Sequence, residues 1–245
     1  MSMYLCIDQG NSRIKTGIFR EDGSLVRSGF YETLPVESVN DLIATSHIEH
    51  VILSSTTGTK LPARDLVAPG RIIDLSHTTP LPIGIIYSTP HTLGRDRIAA
   101  ACGADFLFPG KTCLIVDAGT CVTMDIKLAS GIFAGGNIAP GIAMRLEAMH
   151  EKTGKLPLVQ PEFPETPFGD STEHALQNGA CLGVIMEIEG ILNRARKAYS
   201  EVLVVITGGD SGLLAAKLDY QIFVEPELVI QGLFQILSFN VKNSN

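Results

Sequence analysis

One pattern occurs twice in this chain, and the repeat restricts the folds open to it. In the first copy, Ile7-Asp8-Gln9-Gly10-Asn11-Ser12-Arg13-Ile14-Lys15-Thr16-Gly17-Ile18, an apolar run over 4–7 ends in an acid and a glycine. Ile14, Thr16 and Ile18 then alternate with Lys15 and Gly17, the period-2 mark of a second strand. Asp22-Gly23 turns the chain into a third strand over 24–30. The second copy, Cys113-Leu114-Ile115-Val116-Asp117-Ala118-Gly119-Thr120-Cys121-Val122-Thr123-Met124-Asp125-Ile126, repeats the order, and Ser130-Gly131 repeats the later turn. Asp8 precedes Gly23 by 15 residues and Asp117 precedes Gly131 by 14. A strand that ends in Asp-x-Gly and folds straight back gathers a carboxylate, bare backbone and hydroxyl or amide donors at one tip. Glycine admits a bulky anion to the backbone, and successive turn N–H groups cradle phosphate oxygens. A carboxylate repels phosphate, so its presence suggests a divalent metal between the two. Either copy alone reads as an ordinary hairpin. Two copies, one opening each half, predict a duplicated fold with a cleft between the halves.

Composition sets the outer limits. A chain of 245 residues, 45% hydrophobic and 18% charged, can bury a sizeable core as one large domain or two smaller ones. A net charge of −7 argues against a general nucleic-acid or anionic-membrane surface, without excluding a nucleotide in a local pocket. No apolar run is expected to reach membrane-spanning length, and no basic leader precedes the first strand, so a cytoplasmic protein is expected. The 5 cysteines form no C-x-x-C pair and read as reduced core residues.

Between the repeats, the pattern predicts a helix over 37–46, a strand over 50–54, a short helix over 61–67 and a strand over 71–75. Such alternation implies parallel strands with helical crossovers, appended to the opening meander. A proline-containing loop over 79–84 and an extended piece over 85–88 precede a helix over 92–106. Pro109-Gly110 marks a boundary, giving halves 1–110 and 111–245. Gly110-Lys111-Thr112 imitates the end of a P-loop, but Asp105 stands where its first glycine belongs and a strand follows instead of a helix. After the second hairpin, Pro140-Gly141 opens a helix to about 152, with Ile142, Leu146 and Met149 on one face. An irregular segment with four prolines covers 155–169. A long helix over 172–198 follows, capped by Ser171 or Asp170. A buried strand over 202–206 ends in Thr207-Gly208-Gly209-Asp210, and a short helix, a strand over 221–224 and a helix from 227 complete the half.

The paired loops resemble those of the actin, sugar-kinase and chaperone ATPase superfamily, whose halves grip ATP between them. The fold class expected from this is α/β: a duplicated actin-like (ribonuclease H-like) fold, two similar mixed-sheet halves with a nucleotide cleft between them. A finer resemblance is carried by Tyr87-(x6)-Gly94-Arg95-Asp96-Arg97 followed by Ile98-Ala99-Ala100-Ala101, which is similar to the substrate-binding segment of type III pantothenate kinases. The motifs run in the family's order over nearly the whole chain. By that resemblance the chain is an ATP-dependent enzyme that phosphorylates pantothenate on the way to coenzyme A.

The resemblance also assigns residues. Asp8 becomes the metal-side acid of the first phosphate loop, acting on Mg2+ through the phosphates. Gln9, Gly10, Asn11, Ser12, Arg13, Ile14 and Lys15 share that loop, though Lys15 reads equally well as a solvated strand residue. Asp117 becomes a ligand of a monovalent cation, K+ or NH4+, while Gly119 and Thr120 touch ATP. Gly208 and Gly209 match the adenosine-side turn, which also reads as a plain strand-to-helix turn. Tyr87, Gly94, Arg95, Asp96, Arg97 and Thr172 surround pantothenate, with Asp96 the catalytic base. The family carries a small residue where this chain has Arg95, so nothing is inherited there. Tyr87 reads equally as a core aromatic, and Thr172 as a first-turn helix residue. The family is dimeric, and its residue at position 172 reaches the neighbouring subunit's site, so a homodimer is expected. The rival readings are a kinase for another small hydroxylated acceptor, and a non-catalytic accessory protein of the same fold.

Overall fold

The computed structural model describes residues 2–57 and 61–243. Strands β1 (Met3–Gln9), β2 (Ile14–Arg20) and β3 (Leu25–Tyr31) form the opening meander, followed by α1 (Val36–Thr45), β4 (Ile48–Ser55), β5 (Ile72–Asp74) and β6 (Gly84–Ile85). Helix α2 (Arg95–Leu107) leads into β7 (Cys113–Ala118), β8 (Cys121–Leu128) and β9 (Ile132–Pro140), then α3 (Ile142–Lys152). The rest comprises α4 (Thr172–Gln177), α5 (Gly183–Ala198), β10 (Leu203–Thr207), α6 (Ser211–Ala215), β11 (Ile222–Val224) and α7 (Leu228–Lys242).

The duplication predicted from the two motifs is visible in the sheets. The first has the order β3-β2-β1-β4-β5, and the second contains β9-β8-β7-β10-β11, the same arrangement of third, second, first, fourth and fifth strands. In the first sheet β2 pairs antiparallel with β1 and β3, while β1-β4-β5 run parallel. In the second, β7, β10 and β11 are the parallel counterparts. Helical crossovers are what parallel neighbours require. The α/β duplicated actin-like fold expected above is therefore the fold found.

By packing, the chain forms two compact units: Met1–Lys111 with Lys127–Gly135 and Glu227–Asn245, and Thr112–Ile126 with Gly136–Pro226. Chain order alone places the last two pieces of the first unit after the boundary at 110. Their packing has local causes. Helix α7 lies on β1 and crosses α2, and the crossing is close because Gly103 and Gly232 oppose each other's helices. A Cβ at Gly232 would overlap the Ala99 carbonyl, and one at Gly103 the Leu228 carbonyl. Lys127 is fully buried, yet its ammonium meets three acceptors: Phe108 O at 3.2 Å, Lys111 O at 2.8 Å and Asp105 Oδ1 at 3.2 Å. Three donors and three acceptors leave no unpaired proton on the buried cation. In sequence, Lys127 alternates with apolar residues and reads as a solvent-facing strand position.

Each unit has its own core. Leu5, Ile7, Ile14, Val39, Ile43 and Val51 centre the first, and Leu114, Val116, Ile142, Leu146, Val184 and Ile188 the second. Several boundaries differ from the pattern reading. The helix expected over 92–106 begins at Arg95, because Gly94 is its extended N-cap. The helix expected over 61–67 is a single 3-10 turn, Ala63–Asp65. Pro140 closes a strand instead of opening a helix, and Gly141 is the cap of α3. The helix over 172–198 contains a π turn at Asn178–Leu182 between α4 and α5. The expectation that no apolar run reaches membrane-spanning length is corrected here: Thr172–Ala198 passes by length and composition, with mean hydropathy 1.2 over its most apolar window. Half of that window is buried inside the protein, and the core helix of a folded domain meets the same criteria. All cysteines are unpaired, and Cys6, Cys102, Cys113 and Cys181 are buried.

Candidate active site

In the first unit the site grows from strand register. Asp8, one residue from the end of β1, stands opposite Lys15 on β2 and beside Ser54 on β4. Directly paired residues share a sheet face, so the acid lies between a cation and a hydroxyl. Its Oδ1 is out of solvent and has no hydrogen-bond partner among the described residues. Burial raises the carboxyl from 3.8 to about 6; the Ser54 hydroxyl pulls it down, Asp96 pushes it up and Lys15 pulls it down again. Among the described residues Ser54 Oγ has no well-formed hydrogen bond either, so its influence is that of a nearby dipole. A buried carboxylate oxygen left unpaired suits a hard divalent cation, and the donor chemistry fits Mg2+.

Asp96 reaches the same neighbourhood from α2. It lies in the first helical turn, where Arg97 N–H donates to its Oδ1 at 2.8 Å. A Cβ at Gly94 would sit against that oxygen, so glycine is what lets the carboxylate fold back over the helix start. Arg97 is buried with its guanidinium 5.7 Å from the Phe133 ring centre, and the Tyr87 ring lies 6.1 Å from the same phenyl. Phe133 thus joins Tyr87 to Arg97, the two ends of the motif read from the sequence. Sequence reasoning missed its role: Ile132-Phe133-Ala134 reads only as the strand after the Ser130-Gly131 turn, and nothing in chain order ties it to 87 or 97. Arg95 Nη1 donates to Ser55 O at 3.3 Å and lies 3.7 Å from Asp74 Oδ1, fastening α2 to the ends of β4 and β5.

The remaining first-loop residues divide by task. Gln9 is a framework residue, its Oε1 accepting from Leu61 N–H at 3.1 Å and its carbonyl from Thr56 N–H at 3.1 Å. Gly10 N–H donates to Arg13 O at 3.1 Å and closes the turn, leaving Asn11, Ser12 and Arg13 exposed at the tip. Ile14 packs into the first core, so only its backbone is available to a ligand. Lys15 Nζ lies 2.9 Å from Glu227 Oε2 and 5.1 Å from the Phe30 ring centre, with Arg13 at 4.9 Å from that ring. Glu227, just before α7, is a second residue the sequence did not single out.

The second unit builds its tip from backbone. Gly119-Thr120 links β7 to β8, with Gly119 N–H donating to Cys121 O at 2.9 Å and Thr120 exposed. Gly141 N–H donates to Thr120 O at 3.0 Å, and a Cβ there would overlap the Gly119 carbonyl. Asp117 is level with Thr207 in parallel register. Gly208, at φ +91°, brings its Cα onto the Ala118 carbonyl, where a Cβ would overlap that oxygen and crowd Asp117 Oδ1. Asp210 N–H closes the same carbonyl at 3.0 Å, with Gly209 exposed at the turn. The loops 118–120, 140–141 and 207–210 therefore converge on one patch of bare main chain. Thr172 is the exposed first residue of α4, and Ser171 is the cap, accepting from His174 N–H at 3.1 Å. Thr172 belongs to the second unit and the acceptor motif to the first.

Comparison with known proteins fits this arrangement. The chain is similar to the type III pantothenate kinase of Phocaeicola vulgatus, 40% identical over 242 residues that cover 98% of this chain and 100% of that protein. Among solved structures it resembles one from Campylobacter jejuni described as a Baf family transcriptional activator, with TM-score 0.62, 22% identity and coverage of 96% and 98%. It also resembles the activator of the 2-hydroxyisocaproyl-CoA dehydratase from Clostridium difficile with bound ADPNP, at TM-score 0.55, 13% identity and coverage of 99% and 96%. At these identities the two structures speak for the fold alone. The family profile of the type III pantothenate kinases matches residues 4–194, and the chain belongs to that family.

Proposed function

We propose that this protein transfers the γ-phosphoryl group of ATP to the primary hydroxyl of pantothenate, the first step toward coenzyme A. The observation that carries the reading is the junction of Asp8 and Asp96. Two carboxylates from distant parts of the chain lie near enough for one to raise the other, one with an oxygen out of solvent and unbonded among the described residues, the other at a helix start beside a buried arginine. Phosphoryl transfer asks for these two roles, a metal-side acid and an acid to receive the acceptor proton. Asp96 orients the hydroxyl and takes its proton as the oxygen–phosphorus bond forms and the bond to ADP breaks. Arg97, backed by Phe133 and Tyr87, supplies positive charge for an anionic acceptor. Lys15 and the exposed tip of the first loop receive phosphate oxygens, and Asp8 would hold Mg2+ beside them. When bound, Mg2+ neutralises the charge that gathers on the phosphates. The residues contribute position and fixed charge more than covalent chemistry.

The finer parts of the reading have their own supports. Asp117 is an acid at a tip meant for phosphates, which calls for a monovalent cation, K+ or NH4+, between them. The homodimer is favoured by the outer face of α4, the π turn and α5, where Ala175, Gly179, Met186 and Gly190 are exposed. Thr172 at the head of that helix then serves the partner's acceptor site. A biosynthetic kinase of this kind works in the cytoplasm. The deciding experiment is ADP release coupled to a reporter, with pantothenate and a panel of sugars as acceptors, in K+, NH4+ and Na+ buffers. Turnover with pantothenate, stimulated by K+ or NH4+, is the expected result. Turnover only with another acceptor, or none, overturns the reading.

A further inference from the structure

The second phosphate loop is held by a contact that none of the motifs contains. The peptide plane between Pro140 and Gly141 is gripped at both ends: its N–H donates to Thr120 O at 3.0 Å, and its C=O accepts from Arg145 Nε at 2.8 Å. Arg145 lies in the first turn of α3, its own N–H bonded to Gly141 O at 3.0 Å. Its two remaining nitrogens meet Glu187 of α5 as a fork, Nη1 to Oε1 at 2.8 Å and Nη2 to Oε2 at 2.6 Å. The arginine side chain is only 16% exposed. A planar guanidinium can satisfy a carbonyl and a bidentate carboxylate together, whereas an ammonium cannot hold that geometry. The carboxylate fixes the plane of the guanidinium, which fixes the peptide. Because Gly141 packs directly on the Gly119 and Thr120 carbonyls, any tilt of that peptide is passed to the loop.

We propose that Arg145, oriented by Glu187, is a positioning residue for the second phosphate loop, setting Gly119 and Thr120 for the nucleotide and coupling them to α5. This rests on the reading that the loop binds ATP. It assigns a specificity of effect: disturbing the fork weakens the nucleotide side and leaves the acceptor side alone.

The test uses the full-length protein. Arg145→Lys keeps the charge and breaks the fork, and Glu187→Gln breaks it from the more exposed partner, so at least one variant is expected to remain folded by circular dichroism. The expected result is a roughly 10-fold rise in KM for ATP with KM for pantothenate unchanged, the scale typical of residues that orient a binding group. Exchange of the Gly141 amide proton, followed by NMR without any ligand, should quicken in both variants. On a Thr120→Ala background, the lysine substitution should add little, because both act through one loop. Unchanged ATP kinetics and Gly141 exchange in both folded variants, or full additivity with Thr120→Ala, overturns the inference. If Thr120→Ala itself leaves ATP kinetics at the wild-type level, the phosphate-loop reading has failed instead.

Discussion

The two Asp-x-Gly hairpins share a sequence pattern and a place in their sheets, yet they are finished differently. The first is a charge site: Asp8 Oδ1 is out of solvent with no hydrogen-bond partner among the described residues, Lys15 stands across from it, Asp96 raises its carboxyl, and Glu227 and Phe30 hold the lysine. The second is a main-chain site: glycines at 141 and 208 let three loops pack backbone on backbone. Counting from the acid, Met124 stands where the first copy has Lys15, and it is buried in the second core. The difference teaches that duplication preserved the geometry of the tip while the chemistry diverged. One copy gathers charged side chains at its tip, and the other closes its tip with main-chain hydrogen bonds among three loops.

That contrast can be broken most forcefully at Asp96. Asp96→Asn should lower kcat by about 10²–10⁴-fold, the usual scale for a general base, with the melting temperature and nucleotide affinity nearly unchanged. Near-normal turnover would remove the charge site from the chemistry. At the other tip the damage should appear as instability. Gly208→Ala forces alanine to φ +91° and drives its Cβ into the Ala118 carbonyl, costing about 2–4 kcal/mol in thermal or urea unfolding. An unaltered melt would mean the main-chain site tolerates a side chain.

Lys15→Met copies the second hairpin's residue into the first. If the first tip works through charge, kcat/KM for ATP should fall about 10- to 100-fold, the scale of a hydrogen bond to a charged group, and the salt dependence of ATP binding should flatten. Equal salt responses in mutant and wild type would erase the distinction between the tips. The smallest effect concerns Asp8 without ligand. Its folded-state pKa of about 6 lies above the ordinary 3.8, so ionising it costs stability that is absent below pH 4, grows as pH rises and is complete above pH 6. Asp8→Asn should therefore stabilise the nucleotide-free protein by about 1–2 kcal/mol at pH 8 and by nothing measurable near pH 3.5. MgATP should stabilise the wild type and not the variant. A pH-independent difference would show that Asp8 is not buried as an ion.

Much of this was determined by sequence alone, because the signals were local. Period-2 alternation and two Asp-x-Gly tips, each followed by a second turn, need only neighbouring residues to be read, and they pointed to the paired hairpins, the duplication and the acids at both tips. The Gly94–Arg97 cluster was legible for the same reason, since Gly94, Asp96 and Arg97 occupy one helix start. What only the tertiary structure decided depends on residues far apart in the chain. Phe133 meets Arg97 and Tyr87, Glu227 meets Lys15, and Lys127 finds its three acceptors around the end of α2. A lysine in an alternating strand looks solvated until the fold encloses it, and an acid before the last helix looks like an ordinary terminus until α7 returns to β1. Packing and desolvation depend on which distant surfaces meet, and a linear pattern carries no record of that.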